Sequence, residues 1–161
     1  MGRLENVILL MVGVLVAGGC GFEAEEDQSS VDDFTGLWSW NSGSNIDENC
    51  PSNSYTASQT GNFTIVESSS ADIVLSGDDC NYEFDVNGDR ATIVSGQTCE
   101  QQVQAGDGSL VDVTWEWSVW TLELSGDSVT ASGNGTTTYK GPGGEMDCSV
   151  SLNGSLSRVG G

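Results

Sequence analysis

Apolar and small polar residues alternate along the chain from residue 34 onward, and clusters of Gly, Asn, Asp and Ser interrupt the alternation. A period of two puts successive side chains on opposite faces of a strand, so the pattern predicts short antiparallel strands. No segment shows a helical apolar period flanked by caps. The pattern predicts eight strands, at residues 34–41, 61–67, 71–76, 81–86, 89–95, 110–124, 128–139 and 145–158.

The links between these strands are short and carry turn-forming residues. Asn87-Gly88 suits a type I′ hairpin because both residues tolerate a positive φ. Short links between neighbours favour a meander, and crossover helices have no sequence to form from. A meander of this kind leaves two exposed edges unless the sheet closes. We therefore predict an all-β fold, an eight-stranded antiparallel up-and-down meander closing into a barrel, with a two-sheet β-sandwich as the alternative.

The alternation changes phase within the predicted strand at 110–124. Trp115 and Trp117 have one parity, whereas Trp120 and Leu122 have the other. A one-residue bulge near Val119-Trp120 would keep both sets facing inward. Bulges of this kind let a long strand curl in a barrel.

The first 20 residues, MGRLENVILLMVGVLVAGGC, have the features of an export signal. The apolar run at 7–16 is too short to span a bilayer, which needs roughly 20 residues, and fits a signal peptide. Small residues before Cys20 resemble the bacterial lipobox, although Ala17 stands where Leu is usual. The resemblance implies removal of residues 1–19 and acylation of Cys20, and Gly21 matches lipoproteins sent to the outer membrane. An ordinary secretory signal, cleaved near Ala17 or Gly19, is the alternative.

The five cysteines form an odd set, which an exported protein must explain. If Cys20 carries lipid, four remain, and an oxidising compartment lets them form disulfides. Sequence alone leaves three pairings open. We favour Cys80–Cys99, which flank a hairpin, and Cys50–Cys148, which follow the first strand and begin the last. The second pair meets only if the barrel closes.

The charge of the chain limits its partners and its chemistry. Lys and Arg number 4 and Asp and Glu 24, for a formal net charge of −20, and His is absent. Nucleic-acid binding is excluded because it needs cations to displace counterions from phosphates. The absence of His excludes Ser-His-Asp and Cys-His catalysis and His-ligated zinc or haem. Residues 20–33 hold six carboxylates, so we predict a disordered acidic tether before a barrel domain at 34–161.

The start and end of the domain resemble the calycin superfamily, which includes lipocalins, fatty-acid-binding proteins and avidins. Thr35-Gly36-Leu37-Trp38 supplies the G-x-W motif of the first strand, and Arg158 ends the last strand. The resemblance implies that Trp38 and Arg158 stack across one end of the barrel.

Residues 35–44, TGLWSWNSGS, resemble the start of avidins in particular. Ser44 matches a ligand-binding serine of that family. Trp40 replaces its ligand-binding Asn, so we do not expect biotin binding. The domain also resembles uncharacterised lipoproteins of myxobacterial type, which share its G-x-L-x-R ending and Gly96-Gln97-Thr98-Cys99.

Tryptophan is concentrated in two predicted strands and offers the one candidate pocket. Trp40, Trp115, Trp117 and Trp120 could line a cavity for an apolar ligand. They could equally fill the core, because an eight-stranded barrel is just wide enough for side chains to fill it. We favour core filling. The segment at 85–89 resembles the start of an EF-hand loop, but its later positions do not match, so we interpret it as a hairpin.

These features predict a lipid-anchored cell-envelope protein with a structural or interaction role and no catalysis. The alternative is a small apolar-ligand-binding module of lipocalin type. We expect no cofactor, no metal and no nucleic-acid partner, attachment to the bacterial outer membrane through Cys20, and a protein partner that the sequence does not identify.

Overall fold

A computed structural model describes residues 28–77 and 80–160. The predicted signal peptide at 1–19, the lipid site Cys20 and residues 20–27 of the tether lie outside the described residues. The described residues form one helix, α1 (Gln28–Phe34), and eleven strands. The strands are β1 (Gly36–Trp40), β2 (Asn45–Asn49), β3 (Ser54–Ser58), β4 (Asn62–Glu67), β5 (Ile73–Gly77), β6 (Cys80–Asn87), β7 (Arg90–Ile93), β8 (Thr98–Gln104), β9 (Leu110–Ser125), β10 (Ser128–Gly141) and β11 (Gly144–Arg158).

Eight of these strands close into an antiparallel up-and-down barrel, in the order β1-β4-β5-β6-β7-β9-β10-β11. Pairing of β1 with β11 completes the circle, with Trp38 opposite Arg158. Each barrel strand corresponds to one of the strands predicted from the alternation. The predicted fold class is therefore confirmed, and the β-sandwich alternative is wrong.

The remaining three strands extend the sheet beyond one end of the barrel. β8 pairs with the first half of β9, β2 pairs with the middle of β11, and β3 pairs with β2. We call this part of the sheet, β8-β9-β10-β11-β2-β3, the extension. Its short strands have the polar sequences NIDEN, SYTAS and TCEQQVQ. These three strands are not predicted from the sequence because their residues do not alternate between apolar and polar.

A β-bulge in β9 explains the phase change of its apolar residues. Asn134 of β10 pairs with Val119 and Gly135 pairs with Trp117, which leaves Ser118 without a partner in the ladder. The extra residue lies next to the predicted position. It turns Trp117 and Trp120 to the same side of the sheet, and both are buried.

Helix α1 precedes the first strand of the barrel and packs against β4 and β6. Residues 28–33, assigned from the sequence to the acidic tether, form this helix together with Phe34. Phe34 is fully buried, Val31 packs against the core, and Trp38 Nε1 donates a hydrogen bond of 2.8 Å to the Phe34 carbonyl. Two apolar side chains thus hold a segment whose composition is mainly polar. In the described ranges, no helix has the length and apolar character that crossing a membrane would need.

Candidate functional site

One end of the barrel is closed by Trp38 and Arg158. The guanidinium carbon of Arg158 lies 4.6 Å from the centre of the Trp38 ring. Its Nη1 donates to the Thr35 carbonyl at 2.5 Å and its Nη2 donates to the Asp33 carbonyl. The structure thus places Arg158 over Trp38, as the calycin resemblance implied. The same side chain ties the end of α1 to the last strand.

The other end of the barrel, where the extension begins, contains a cavity of about 390 Å³. Trp40 and Phe63 line it from β1 and β4, with ring centres 5.6 Å apart. Trp117 and Trp120, 5.0 Å apart, line it from either side of the bulge in β9. The aromatic residues in the wall are Trp40, Tyr55, Phe63, Tyr82, Trp115, Trp117, Trp120 and Tyr139.

All four tryptophans that the sequence proposed for a pocket line this cavity. The preferred interpretation, a barrel interior filled by side chains, describes only the part near Trp38. There Ile65, Phe84 and Leu156 are fully buried. The barrel is therefore packed at one end and hollow at the other. The long strands β9, β10 and β11 continue past the packed part and form part of the cavity wall.

Glu48 is the acidic residue in the cavity wall. It lies on β2 and only 4% of its surface is exposed. Tyr139 donates a hydrogen bond of 2.7 Å to its Oε2, whereas Oε1 has no hydrogen-bond partner among the described residues. Burial raises the pKa of Tyr139 well above its usual value. The hydrogen bond that Tyr139 donates to Glu48 and the negative charge of Glu48 raise this pKa further.

Sequence reasoning missed Glu48 because β2 was not predicted as a strand. Its sequence, NIDEN, has one apolar residue and is typical of a loop. The available signal was weak: Ile46 and Glu48 have the same parity, and both line the cavity.

Two further polar groups belong to the aromatic wall. Burial raises the pKa of Tyr82, and a hydrogen bond with Trp117 lowers it. Trp120 Nε1 is buried and, among the residues described, has no hydrogen-bond partner. The wall therefore combines apolar surface with a few polar groups, as small-molecule sites do.

Disulfides hold two walls of the cavity. The structure joins Cys50 to Cys148 and Cys80 to Cys99, the two pairs that we favoured. Cys50 reaches Cys148 because β2 pairs with β11, with Asn49 opposite Ser149. Closure of β1 on β11, the reason given from the sequence, is not what brings these two residues together.

Ser44, which matches a ligand-binding serine of avidins, has a different role here. Its side chain is buried, and its Oγ donates to the Ser155 carbonyl at 3.1 Å and accepts from the Ser155 amide at 3.0 Å. Ser44 is not part of the cavity wall. It fastens the start of β2 to β11.

The segment at 85–89 forms the β6–β7 hairpin, with Asn87 opposite Arg90 and Gly88 at a φ of 58°. Within residues 28–77 and 80–160, no three potential metal-ligating side chains of Cys, Asp or Glu come together.

Comparison of the chain with protein-family models, with curated proteins and with solved structures finds no match. The barrel is compatible with a calycin-like fold. The candidate site is therefore argued from its geometry.

Proposed function

We propose that this chain is a lipid-anchored protein of the bacterial outer membrane whose barrel binds one small, largely apolar ligand, without catalysis. The observation that carries the proposal is the aromatic-lined cavity of about 390 Å³. Ligand pockets typically have volumes of about 300–1,000 Å³ and apolar walls with a few polar groups. The cavity favours a binding role over the structural or interaction role that the sequence suggested first.

The sequence supports the anchor and the compartment in this proposal. The lipobox-like segment ends at Cys20, and the other four cysteines are paired in two disulfides. The Trp38–Arg158 contact supports kinship with calycins, and the resemblance to myxobacterial-type lipoproteins belongs to the same proposal.

The wall of the cavity supports binding without chemical conversion. Glycosidase chemistry needs a pair of carboxylic residues, whereas Glu48 is the one acidic residue among the described residues of the wall. The chain has no His to act as a general base.

Filling the cavity tests the proposal. Ala57 of β3 lines the cavity, and its neighbour Ser58 lies on the opposite face of the same strand and is exposed. We expect Ala57→Phe to weaken binding of phenylbutanol at least about tenfold by occupying its volume, and Ser58→Phe to leave it unchanged.

The measurement is calorimetric titration of the full chain carrying Cys20→Ser, with thermal unfolding to verify that each variant is folded. Equal affinities of a folded Ala57→Phe protein and the parent would refute the cavity as the binding site, and so would a parent protein that binds none of the phenylbutyl compounds named below.

A further inference from the structure

The carboxylate of Glu48 lacks the positive partner that a buried carboxylate normally has. Moving an ionised carboxylate out of water is costly unless a cation or hydrogen-bond donors compensate it. Tyr139 supplies one donor to Oε2, and the described residues supply none to Oε1. The charge of Glu48 is thus only partly compensated by the protein.

The basic residues of the described ranges are engaged elsewhere. Arg90 pairs with Glu123 at 3.2 Å and Lys140 pairs with Glu145 at 3.4 Å. Arg158 lies at the closed end of the barrel, 3.8 Å from Asp127. None of these three residues lines the cavity.

The surroundings of Glu48 are suited to a cation. Tyr55 lies directly opposite Glu48 in the β2–β3 ladder, and Tyr139 contacts its carboxylate. Trp40 and Trp115 line the same cavity. The faces of aromatic rings attract ammonium groups, and Trp does so most strongly. The formal net charge of −20 also raises the local concentration of cations.

We infer, on the basis of the proposed function, that the ligand of this cavity is a cationic amine with an aromatic or apolar body, whose ammonium group pairs with Glu48. The ammonium group supplies the missing donors to Oε1. The apolar body contacts the tryptophans, and the indole N–H of Trp120 is available to a hydrogen-bond acceptor of the ligand.

A matched series of ligands separates the charge from the apolar body. Phenylbutylamine, phenylbutanol and phenylvalerate share a phenyl ring and a four-carbon chain and end in a cation, a neutral hydroxyl and an anion at neutral pH. We expect the amine to bind the Cys20→Ser protein at least about tenfold more tightly than the alcohol, and the carboxylate to bind least.

Two matched variants identify Glu48 as the counter-ion. Glu48→Gln keeps an oxygen that can accept the Tyr139 hydrogen bond and removes the charge. Glu67→Gln removes the same charge from an exposed position of β4 outside the cavity wall. We expect Glu48→Gln to lower the affinity for the amine at least about tenfold with little change for the alcohol, and Glu67→Gln to change neither.

The outcomes distinguish this inference from the function on which it rests. Equal binding of the amine and the alcohol by the parent protein would overturn the cationic ligand and retain the cavity. Equal losses for both compounds in Glu48→Gln would assign Glu48 to the shape of the wall and overturn its role as counter-ion. Binding of none of the compounds would overturn the proposed function itself.

Discussion

Gly36 shows what the G-x-W motif does at the level of single atoms. Its φ is 133°, a conformation that side chains disfavour, and a Cβ there would lie 2.8 Å from Nη1 of Arg158. The missing side chain therefore lets the guanidinium pass to the Thr35 carbonyl and lie over Trp38. The motif and the terminal arginine belong to one arrangement.

Gly36→Ala should therefore lower the free energy of unfolding by roughly 1–3 kcal/mol, because strain and the displaced arginine add together. Urea denaturation followed by tryptophan fluorescence measures this loss. Gly106→Ala is the control, since a Cβ at Gly106 would meet nothing within 4 Å. Similar losses in the two variants would show that the fit around Arg158 does not matter.

At the scale of elements, the long strands β9 and β11 provide the edges with which the short strands β8 and β2 pair. β9 and β11 contain 16 and 15 residues, and each continues beyond the few residues that pair with β7 or β1 in the barrel. Their backbone N–H and C=O groups need partners there, and β8 and β2 provide them. The short strands need little apolar character of their own, because the long strands already present the hydrogen-bonding edge.

The strands β6 and β8 do not pair through their backbones, and side chains connect them instead. The Gln97 amide accepts from the Glu83 N–H and donates to the Glu83 carbonyl, both at 2.7 Å. The Cys80–Cys99 disulfide joins the same two strands. The primary amide of glutamine can act here as a strand residue would, because it offers one donor and one acceptor side by side.

The two disulfides should differ in their contributions to stability. They span 98 and 19 residues, and in the loop-entropy model the longer loop contributes more. We expect Cys50→Ser with Cys148→Ser to lower the free energy of unfolding by about 4–5 kcal/mol, and Cys80→Ser with Cys99→Ser by about 3 kcal/mol.

Chemical denaturation of both double variants tests this order. The affinity of the variant with Cys50→Ser and Cys148→Ser for phenylbutylamine provides a second measurement, because Cys50 directly follows β2, the strand that carries Glu48. A larger loss from the shorter loop would show that local strand pairing, rather than loop length, sets the contribution.

At the scale of the whole molecule, the barrel is asymmetric. The Trp38 end is packed and tied by Arg158, and the opposite end holds the cavity between disulfide-linked walls. The packed half thus supports a hollow half whose walls are linked by disulfides. This division is consistent with binding sites being placed on a stable framework.

The proposed anchor is a property of the whole chain and has its own test. Metabolic labelling with a fatty acid should tag the parent protein and not Cys20→Ser, because only Cys20 lies behind the lipobox-like segment. Membrane fractionation should place the parent with the outer membrane and should not place the variant there. Label retained by Cys20→Ser would exclude acylation at this residue.

The alternation of apolar and polar residues was enough to predict the eight barrel strands. Each of these strands buries one face, so its own sequence places apolar residues at every second position. The bulge at Ser118 was predictable for the same reason: the parity of Trp117 and Trp120 changes across it. The Trp38–Arg158 contact came from a motif rather than from a pattern, and the structure gives its physical reason in Gly36.

The sequence by itself thus determined the eight barrel strands and the four tryptophans that share one surface, and it favoured, without deciding, the closed barrel and the two disulfides that the structure contains. Only the tertiary structure decided that this surface is hollow, because cavity volume depends on how far β9, β10 and β11 continue together. It also decided the place of Glu48, since a polar strand takes its position from the hydrogen-bonding edge of β11, which is about a hundred residues distant along the chain.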